Sequence, residues 1–466
     1  MKARPGRDGS KGPRGGRTAL VIFGSSGNLA TSRLIPAVKR LTEAGLLPKG
    51  FWTVGVDRRE HGEKGLSSFI QGDITRGETF ARLAEELRAA SGGARLDLLF
   101  YLATRPELFA GVVDHLKSSG LNKGGRAWPR IAVEKPLGVG LRSANRLESR
   151  LGAAFPESRI YRVDHFLAKS ESLEVQRVRF GSRGSDSVWN GRFVNQVQIM
   201  ADEGDGLNGR GDFYDSVGAF RDMVQSHLLH LLCLVAMERP GPGDDPAQAK
   251  AKGDVLRSLR PPSAEKVAWG QYLGYGKERG VRSGSRTPTF VAMKLLVGNG
   301  RWEGVPFYLR TGKLMARDRT EVVVVFKRPT PIPGVCEKDG GPSALTFCFG
   351  PAPRTTLSFG TRGTSLELPN GGPEAGLEGG PVEDEYQRLM VEAIAGDRMH
   401  FAGREFNLMS WRLFDPLLEE SEASAGPPTS YRPGTWGPPE SDRLLAGEGR
   451  AWLDGRDSAH SLRPTP

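Results

Sequence analysis

Asp164 and His165 stand side by side in the segment IYRVDHFLAK, and Lys169 follows four residues after His165. An acid, an imidazole and an ammonium in so short a span can orient a base and bind an anion. Such pairs also occur as plain polar surface, so both uses stay open. A second imidazole, His227, enters VGAFRDMVQSHLLHLLCLVAME just where the sequence turns almost wholly apolar. Arg221, Asp222 and Gln225 occupy the turn and a half before it. Polar groups gathered at one end of an apolar helix fit a site as well as they fit a satisfied structural histidine. Lys135, in RIAVEKP, lies just past an apolar run, with Pro136 stiffening the turn. A lysine there can hold a substrate hydroxyl or a cofactor phosphate, or simply face solvent.

These side chains need a frame, and the first third of the chain supplies one. TALVIF, FWTVGV, LDLLFYLA and RIAVEKP alternate with helical segments such as LIPAVKRLTEAG, TFARLAEELRAA and ELFAGVVDHLKSSG. Strand-helix alternation predicts a parallel, doubly wound α/β sheet of the Rossmann kind. Strands that are apolar throughout fit a sheet covered on both faces. Ligands of such sheets bind at the carboxyl ends of the strands, where Lys135 falls. From about residue 165 longer strand-like runs appear (RFVNQVQIMA, TFVAMKLLV, TEVVVVFK), with one strongly apolar helix over 217–238. This predicts a larger α+β domain with a mainly antiparallel sheet. The organisation expected is a basic Gly/Arg-rich disordered leader over 1–17, a dinucleotide-binding Rossmann-like domain over 18–165, and the α+β domain over 166–466. By composition, 239–265 reads as a surface loop with room for a helix in its middle, and 366–382 as a loop.

The turn after the first strand, GSSGNLATSRL, carries Gly24 and Gly27. Glycines there let backbone N–H groups approach an anion at the positive end of the following helix. Ala30 is small enough for that helix to pack on the strand. After the first strand of an alternating series, this spacing points to a dinucleotide. The second strand ends GVDRRE, where Asp57 suits a free ribose 2′-hydroxyl and Arg58 with Arg59 suits a 2′-phosphate. NADP and NAD both remain open on these residues.

Composition narrows the class. The formal charge is +11 over 466 residues, but residues 1–17 hold six Lys/Arg against one Asp, which leaves +6 for the body. No specific nucleic-acid partner is expected from so diluted a charge. Gly and Pro make up 94 of 466 residues, below the roughly 25–30% that marks low complexity. The longest apolar run, Leu228 to Met237, is interrupted by His230 and is far short of the roughly 20 residues that span a bilayer. No membrane partner is expected. Three scattered cysteines, Cys233, Cys336 and Cys348, build neither a disulfide framework nor a zinc site. No metal is expected, and a reducing cytoplasm is.

Together the motifs resemble glucose-6-phosphate dehydrogenase along nearly the whole chain. Gly24 to Leu34 is similar to the family's GxxGDLAxxKL, Val133 to Gly138 to VEKPxG, and Arg162 to Lys169 to RIDHYLGK. Arg210 through Glu238, VPFYLRTGK (305–313), YQRLM (386–390), SWRLFDPLL (410–418) and YRPGTWGP (431–438) match further family signatures in the same order. The resemblance implies oxidation of glucose 6-phosphate at C1 with NADP as coenzyme, NAD being possible, by a homodimer or homotetramer, with 166–466 as the substrate-binding and oligomerisation domain. It implies His227 as general base and Asp164 as its partner. His165 and Lys169 would hold the sugar phosphate, and Glu203, Asp222, Lys313 and Lys135 the sugar. The coenzyme would meet Gly24, Ser25, Ser26, Gly27, Asn28, Leu29, Arg58, Ala103 and Lys135. The chain departs from the family pattern at Asn28, Arg33, Phe166, Ser226, Asp318 and Gly350, and between Arg59 and Phe69. Two other readings are a dehydrogenase of a different sugar and a drifted relative that binds NADP(H) with little turnover.

Overall fold

Six apolar runs form six parallel strands in the computed structural model, which describes residues 17–59, 65–92, 96–123, 128–181, 185–241, 245–327, 343–350, 352–359, 364–368, 382, 384–424 and 426–453. These are β1 (Arg17–Phe23), β2 (Trp52–Asp57), β3 (Ser68–Gln71), β4 (Leu96–Leu102), β5 (Arg130–Glu134) and β6 (Ile160–Val163). Their order is β3-β2-β1-β4-β5-β6, every neighbouring pair parallel. This is the doubly wound arrangement expected, with its switch point between β1 and β4. Successive residues of β1 point to opposite faces. Ala19, Val21 and Phe23 join Phe80, Leu83, Val112 and Leu151 on one side, while Leu20 and Ile22 join Ile35, Val38 and Leu41 on the other.

Register aligns the strand ends. Phe23 pairs with Val56 and with Leu102, and Glu134 pairs with Val163. Gly24, Asp57, Ala103, Lys135 and Asp164 therefore all fall at the carboxyl edge of one sheet. The expected leader (all but Arg17), Cys336 and residues 60–64 of the shortened segment lie outside the described residues.

The chain divides into two compact units, and the division corrects the linear boundary expected at 165/166. The first unit holds the described residues up to Gly138, Arg142–Ala168 and the stretch ending at Ala402; the second holds Val139–Leu141, the described residues from Lys169 to before that stretch, and those from Gly403 on. The helix Glu385–Ala395 thus belongs to the sheet formed at the start of the chain. Tyr386, Leu389, Met390, Ala393 and Ile394 complete the apolar layer with Leu20, Ile22, Leu99 and Tyr161. At about 1.5–3 kcal/mol for each large apolar side chain removed from water, that face outweighs proximity in sequence.

The second unit is built on a ten-stranded sheet. Its strands are β7 (Val194–Asp202), β8 (Leu259–Arg260), β9 (Val267–Tyr272), β10 (Phe290–Val297), β11 (Pro306–Gly312), β12 (Arg319–Phe326), β13 (Ala344–Gly350), β14 (Arg354–Phe359), β15 (Thr364–Leu368) and β16 (Thr429–Tyr431). The order is β15-β14-β13-β12-β7-β11-β10-β9-β16, with β8 on β10. Among its described strands, only the pairs β7–β11 and β9–β16 are parallel. One local expectation is met and two change. The helix for which 239–265 left room is present as Asp245–Ser258, 14 residues long, though its Val255 and Leu256 are buried. The expected loop at 366–382 opens as strand β15, and 369–381 lie outside the described residues. The apolar helix starts at Gly211 and breaks at Gly218, whose φ is +68°. Beyond that break the chain winds as a π-helix from Phe220 to Leu228 and then as an α-helix from Leu229 to Ala236.

Candidate active site

On the first unit, Gly24 opens the turn at the switch point with φ +85°. A Cβ there would lie 2.6 Å from the Ala103 carbonyl oxygen, so only glycine fits between β1 and the end of β4. The Gly27 N–H donates to the Gly24 carbonyl at 3.0 Å, and the Thr31 N–H to that of Gly27, so the turn runs straight into helix. Thr31 and Ser32 hydroxyls both donate to the Asn28 carbonyl. Asp57 clamps this turn from the neighbouring strand: Oδ2 accepts from the Ser26 N–H at 3.2 Å, and Oδ1 from the Arg58 N–H at 2.7 Å and the Arg59 N–H at 3.4 Å. Its carboxylate is occupied by backbone, while the Arg58 side chain is exposed. A tight glycine cradle at a helix start, with an arginine at the end of β2, fits a dinucleotide bearing a 2′-phosphate.

Two strand ends along, Lys135 and Asp164 follow β5 and β6. The Lys135–Pro136 bond is cis. Asp164 is buried, and its Oδ1 accepts from the Phe166 N–H at 3.0 Å, which caps the short helix His165–Ala168. His165 is half-buried and stacks on Tyr386 of the returning helix, ring centroids 6.0 Å apart. Two ion pairs steady β6 behind it, one fully buried and one reaching an exposed glutamate. Arg162 forks onto Glu148 at 2.8 and 2.6 Å and onto Glu157 at 2.7 and 3.0 Å.

Glu134, which sequence reasoning passed over although it lies inside VEKP, is buried and accepts from the Tyr101 hydroxyl at 2.6 Å. Burial pushes its carboxyl up to about 7, with the Asp164 charge adding to the effect and Tyr101 and Lys135 opposing it. Burial, followed by Glu134, holds the Tyr386 phenol above its ordinary range. A carboxyl poised near neutrality beside a candidate lysine is a common property of functional sites.

On the second unit, register again makes the site. Gly312 of β11 pairs with Asp202 of β7 in parallel, so Lys313 and Glu203 leave adjacent strands side by side. Lys313 Nζ lies 2.5 Å from Glu203 Oε1. Behind them Arg310 forks onto Asp202, both side chains fully buried. Asp222 and His227 are five residues apart on the π-wound stretch. On an α-helix that spacing would turn them roughly 140° apart; i→i+5 hydrogen bonding brings them close to one face. His227 is 1% exposed. Gln225, on the same stretch, donates to the Ser410 hydroxyl at 2.7 Å and so fixes this helix against Arg404–Ser424. Lys169 is half-buried at the start of the helix Ser170–Phe180. Gly350 ends β13, where the Cys348 thiol donates to its carbonyl.

Two family models cover the chain. One is described as glucose-6-phosphate dehydrogenase, NAD binding domain, and matches residues 21–69 and 64–173; the other, glucose-6-phosphate dehydrogenase, C-terminal domain, matches 176–453. The chain belongs to the glucose-6-phosphate dehydrogenase family. Among its relatives, glucose-6-phosphate 1-dehydrogenase 2 of Mycobacterium tuberculosis is 34% identical over 486 aligned positions, covering 94% of each chain. The cytoplasmic isoform of Solanum tuberosum is 33% identical over 95% of this chain and 94% of its own. A solved glucose-6-phosphate dehydrogenase in complex with its substrate glucose 6-phosphate has a TM-score of 0.81 at 27% identity, covering 94% of this chain and 99% of that one. The enzyme of Mycobacterium avium gives 0.79 at 30% identity, covering 96% and 99%. No described helix is long and apolar enough to cross a membrane.

Proposed function

We propose that this protein oxidises β-D-glucose 6-phosphate at C1 to 6-phospho-D-glucono-1,5-lactone with NADP⁺, the first step of the oxidative pentose phosphate pathway. The observation that carries this reading is the shared register: candidate coenzyme groups sit at aligned strand ends of the first unit, and Glu203 and Lys313 at aligned strand ends of the second. NADP⁺, when bound, accepts a hydride. The turn from Gly24 through Ser25, Ser26, Gly27 and Asn28 to Leu29 would hold its pyrophosphate, with Ala103 and Lys135 alongside and Arg58 on the 2′-phosphate. His227 takes the proton of the C1 hydroxyl as the C1–H bond electrons leave, and the O–H pair becomes the lactone C=O. Asp164 orients His227 and stabilises the imidazolium. His165 and Lys169 bind the substrate phosphate, and Glu203, Asp222, Lys313 and Lys135 fix the sugar. Positioning of this kind is the protein's main contribution to hydride transfer. The working enzyme is a cytoplasmic homodimer or homotetramer in this reading.

The test follows nicotinamide reduction at 340 nm (the absorbance of the reduced ring) with glucose 6-phosphate and NADP⁺, then with free glucose and with NAD⁺. Turnover is expected with the sugar phosphate and NADP⁺. His227→Asn should lose at least about 1000-fold in kcat, within the 10²–10⁴ typical of a general base, and still bind glucose 6-phosphate. No reduction by the folded wild type sinks the activity; retained kcat in the variant removes His227 as base.

A further inference from the structure

Tyr214 belongs to the apolar layer under the second sheet, together with Tyr272, Tyr275 and Phe290. Two features set it apart from an ordinary core tyrosine. Lys313 Nζ lies over its ring, 5.5 Å from the centroid. The face of a phenol attracts a cation electrostatically, more strongly where water is excluded, and Lys313 is itself only 3% exposed. The second feature is the hydroxyl. A buried tyrosine hydroxyl usually finds a partner, as Tyr275 does on Asp215 at 2.9 Å and Tyr431 does on the Lys313 carbonyl at 2.6 Å. Tyr214 donates to no described residue, and its oxygen is not among the sealed polar atoms left without a partner. The 4% of Tyr214 that remains exposed therefore includes the hydroxyl. The charges acting on that phenol are Asp222 and Glu203, both candidates for holding the sugar. Burial and these two carboxylates keep it well above its ordinary range, so it stays a donor at every working pH.

We propose that Tyr214 is a sugar-binding and lysine-positioning residue, its ring holding the Lys313 ammonium beside Glu203 and its hydroxyl donating to a hydroxyl of the bound sugar phosphate. This rests on the sugar-phosphate reading above. The helix Gly211–Ala219 gives Tyr214 a rigid base: Asp215, the next residue, accepts from Tyr275, from Arg282 at 2.7 Å and from Ser285, which locks the helix to the loop before β10.

Two substitutions separate the two roles. Tyr214→Phe keeps the ring and removes the hydroxyl; Tyr214→Leu removes both. One lost hydrogen bond of ordinary strength predicts a rise of about 2- to 12-fold in glucose 6-phosphate Kd and KM for the Phe variant. Loss of the cation contact predicts a further factor of about 2 to 5 for the Leu variant. NADP⁺ KM should stay within about twofold of wild type in both. Equilibrium titration of the full chain with glucose 6-phosphate is run beside the steady-state assay. If wild type binds the sugar phosphate but does not turn over, the activity reading fails while Kd still decides the role of Tyr214. If wild type does not bind it, this inference falls with the reading. A Phe variant with wild-type Kd refutes the hydroxyl contact. Equal rises in both substrates' KM would mean that Tyr214 only supports the fold. The Phe variant preserves the packing volume, so the first comparison does not depend on the Leu variant folding.

Discussion

Replacing Glu134 by Gln should remove a pH dependence built into the coenzyme unit. Glu134 is 8% exposed, faces Tyr101, Lys135, Asp164 and Tyr386, and titrates near 7 in the folded chain against an ordinary 4.5. The folded state thus keeps the Glu134 proton over a range in which the unfolded chain has lost it. Stability from that proton is complete below pH 4.5 and disappears as pH rises through 7. At about 1.36 kcal/mol per pH unit, the window from 4.5 to about 7 is worth about 3 kcal/mol. Glutamine has the same shape and no titration, so its stability relative to wild type should rise by that amount between pH 4.5 and 8. Hydrogen exchange of β5 peptides reads the opening free energy locally, and comparing the two proteins at each pH cancels the intrinsic exchange rate. A difference that stays constant within about 0.5 kcal/mol across the window would show that Glu134 is not protonated near neutrality in the folded chain, and the burial argument would be wrong.

Other expectations concern the coenzyme and the phosphate. Asp57→Asn should raise KM for NADP⁺ and NAD⁺ by similar factors, because the carboxylate holds the Ser26, Arg58 and Arg59 amides; a tenfold change in the ratio of the two would instead place the ribose on Asp57. Arg58→Ala should raise NADP⁺ KM by about 10- to 100-fold, as for a lost charge-assisted contact, and leave NAD⁺ nearly unchanged, read in the same assay. Lys169→Ala should raise glucose 6-phosphate KM by a comparable factor with a smaller effect on kcat, and an unchanged KM would remove Lys169 from the phosphate site.

Much of the first sheet was legible because its strands are apolar throughout and its helices carry clear periodicity. The glycine turn was legible because the steric demand at Gly24 leaves its mark on residue type. The return of Glu385–Ala395 to the first sheet was not, since periodicity reports which face is apolar and not which layer it covers. The helix Asp245–Ser258 was legible only as room within a loop, because prolines and glycines flank it. The π-winding at Phe220–Leu228 has no residue signature; the sequence gathers Asp222 and His227 at one end of the helix, but α-helical spacing would turn them apart. Glu134 was hidden because its significance comes from burial against Tyr101, and Tyr214 because a single tyrosine in an apolar stretch looks like any core aromatic.

The returning helix also orders events during synthesis. Arg40 pairs with Asp384 across 344 residues of chain, and Arg130 donates to the Ala393 and Ile394 carbonyls at 2.5 and 2.6 Å. A ribosome that has finished β6 has therefore made a sheet with one layer still uncovered, and more than 200 further residues must emerge before Leu389 and Met390 can cover it. For that interval the nascent chain carries exposed apolar surface of the kind chaperones bind. A fragment ending at residue 168 would keep that surface for good, so a soluble coenzyme-binding fragment requires residues 384–402 to be joined back to it.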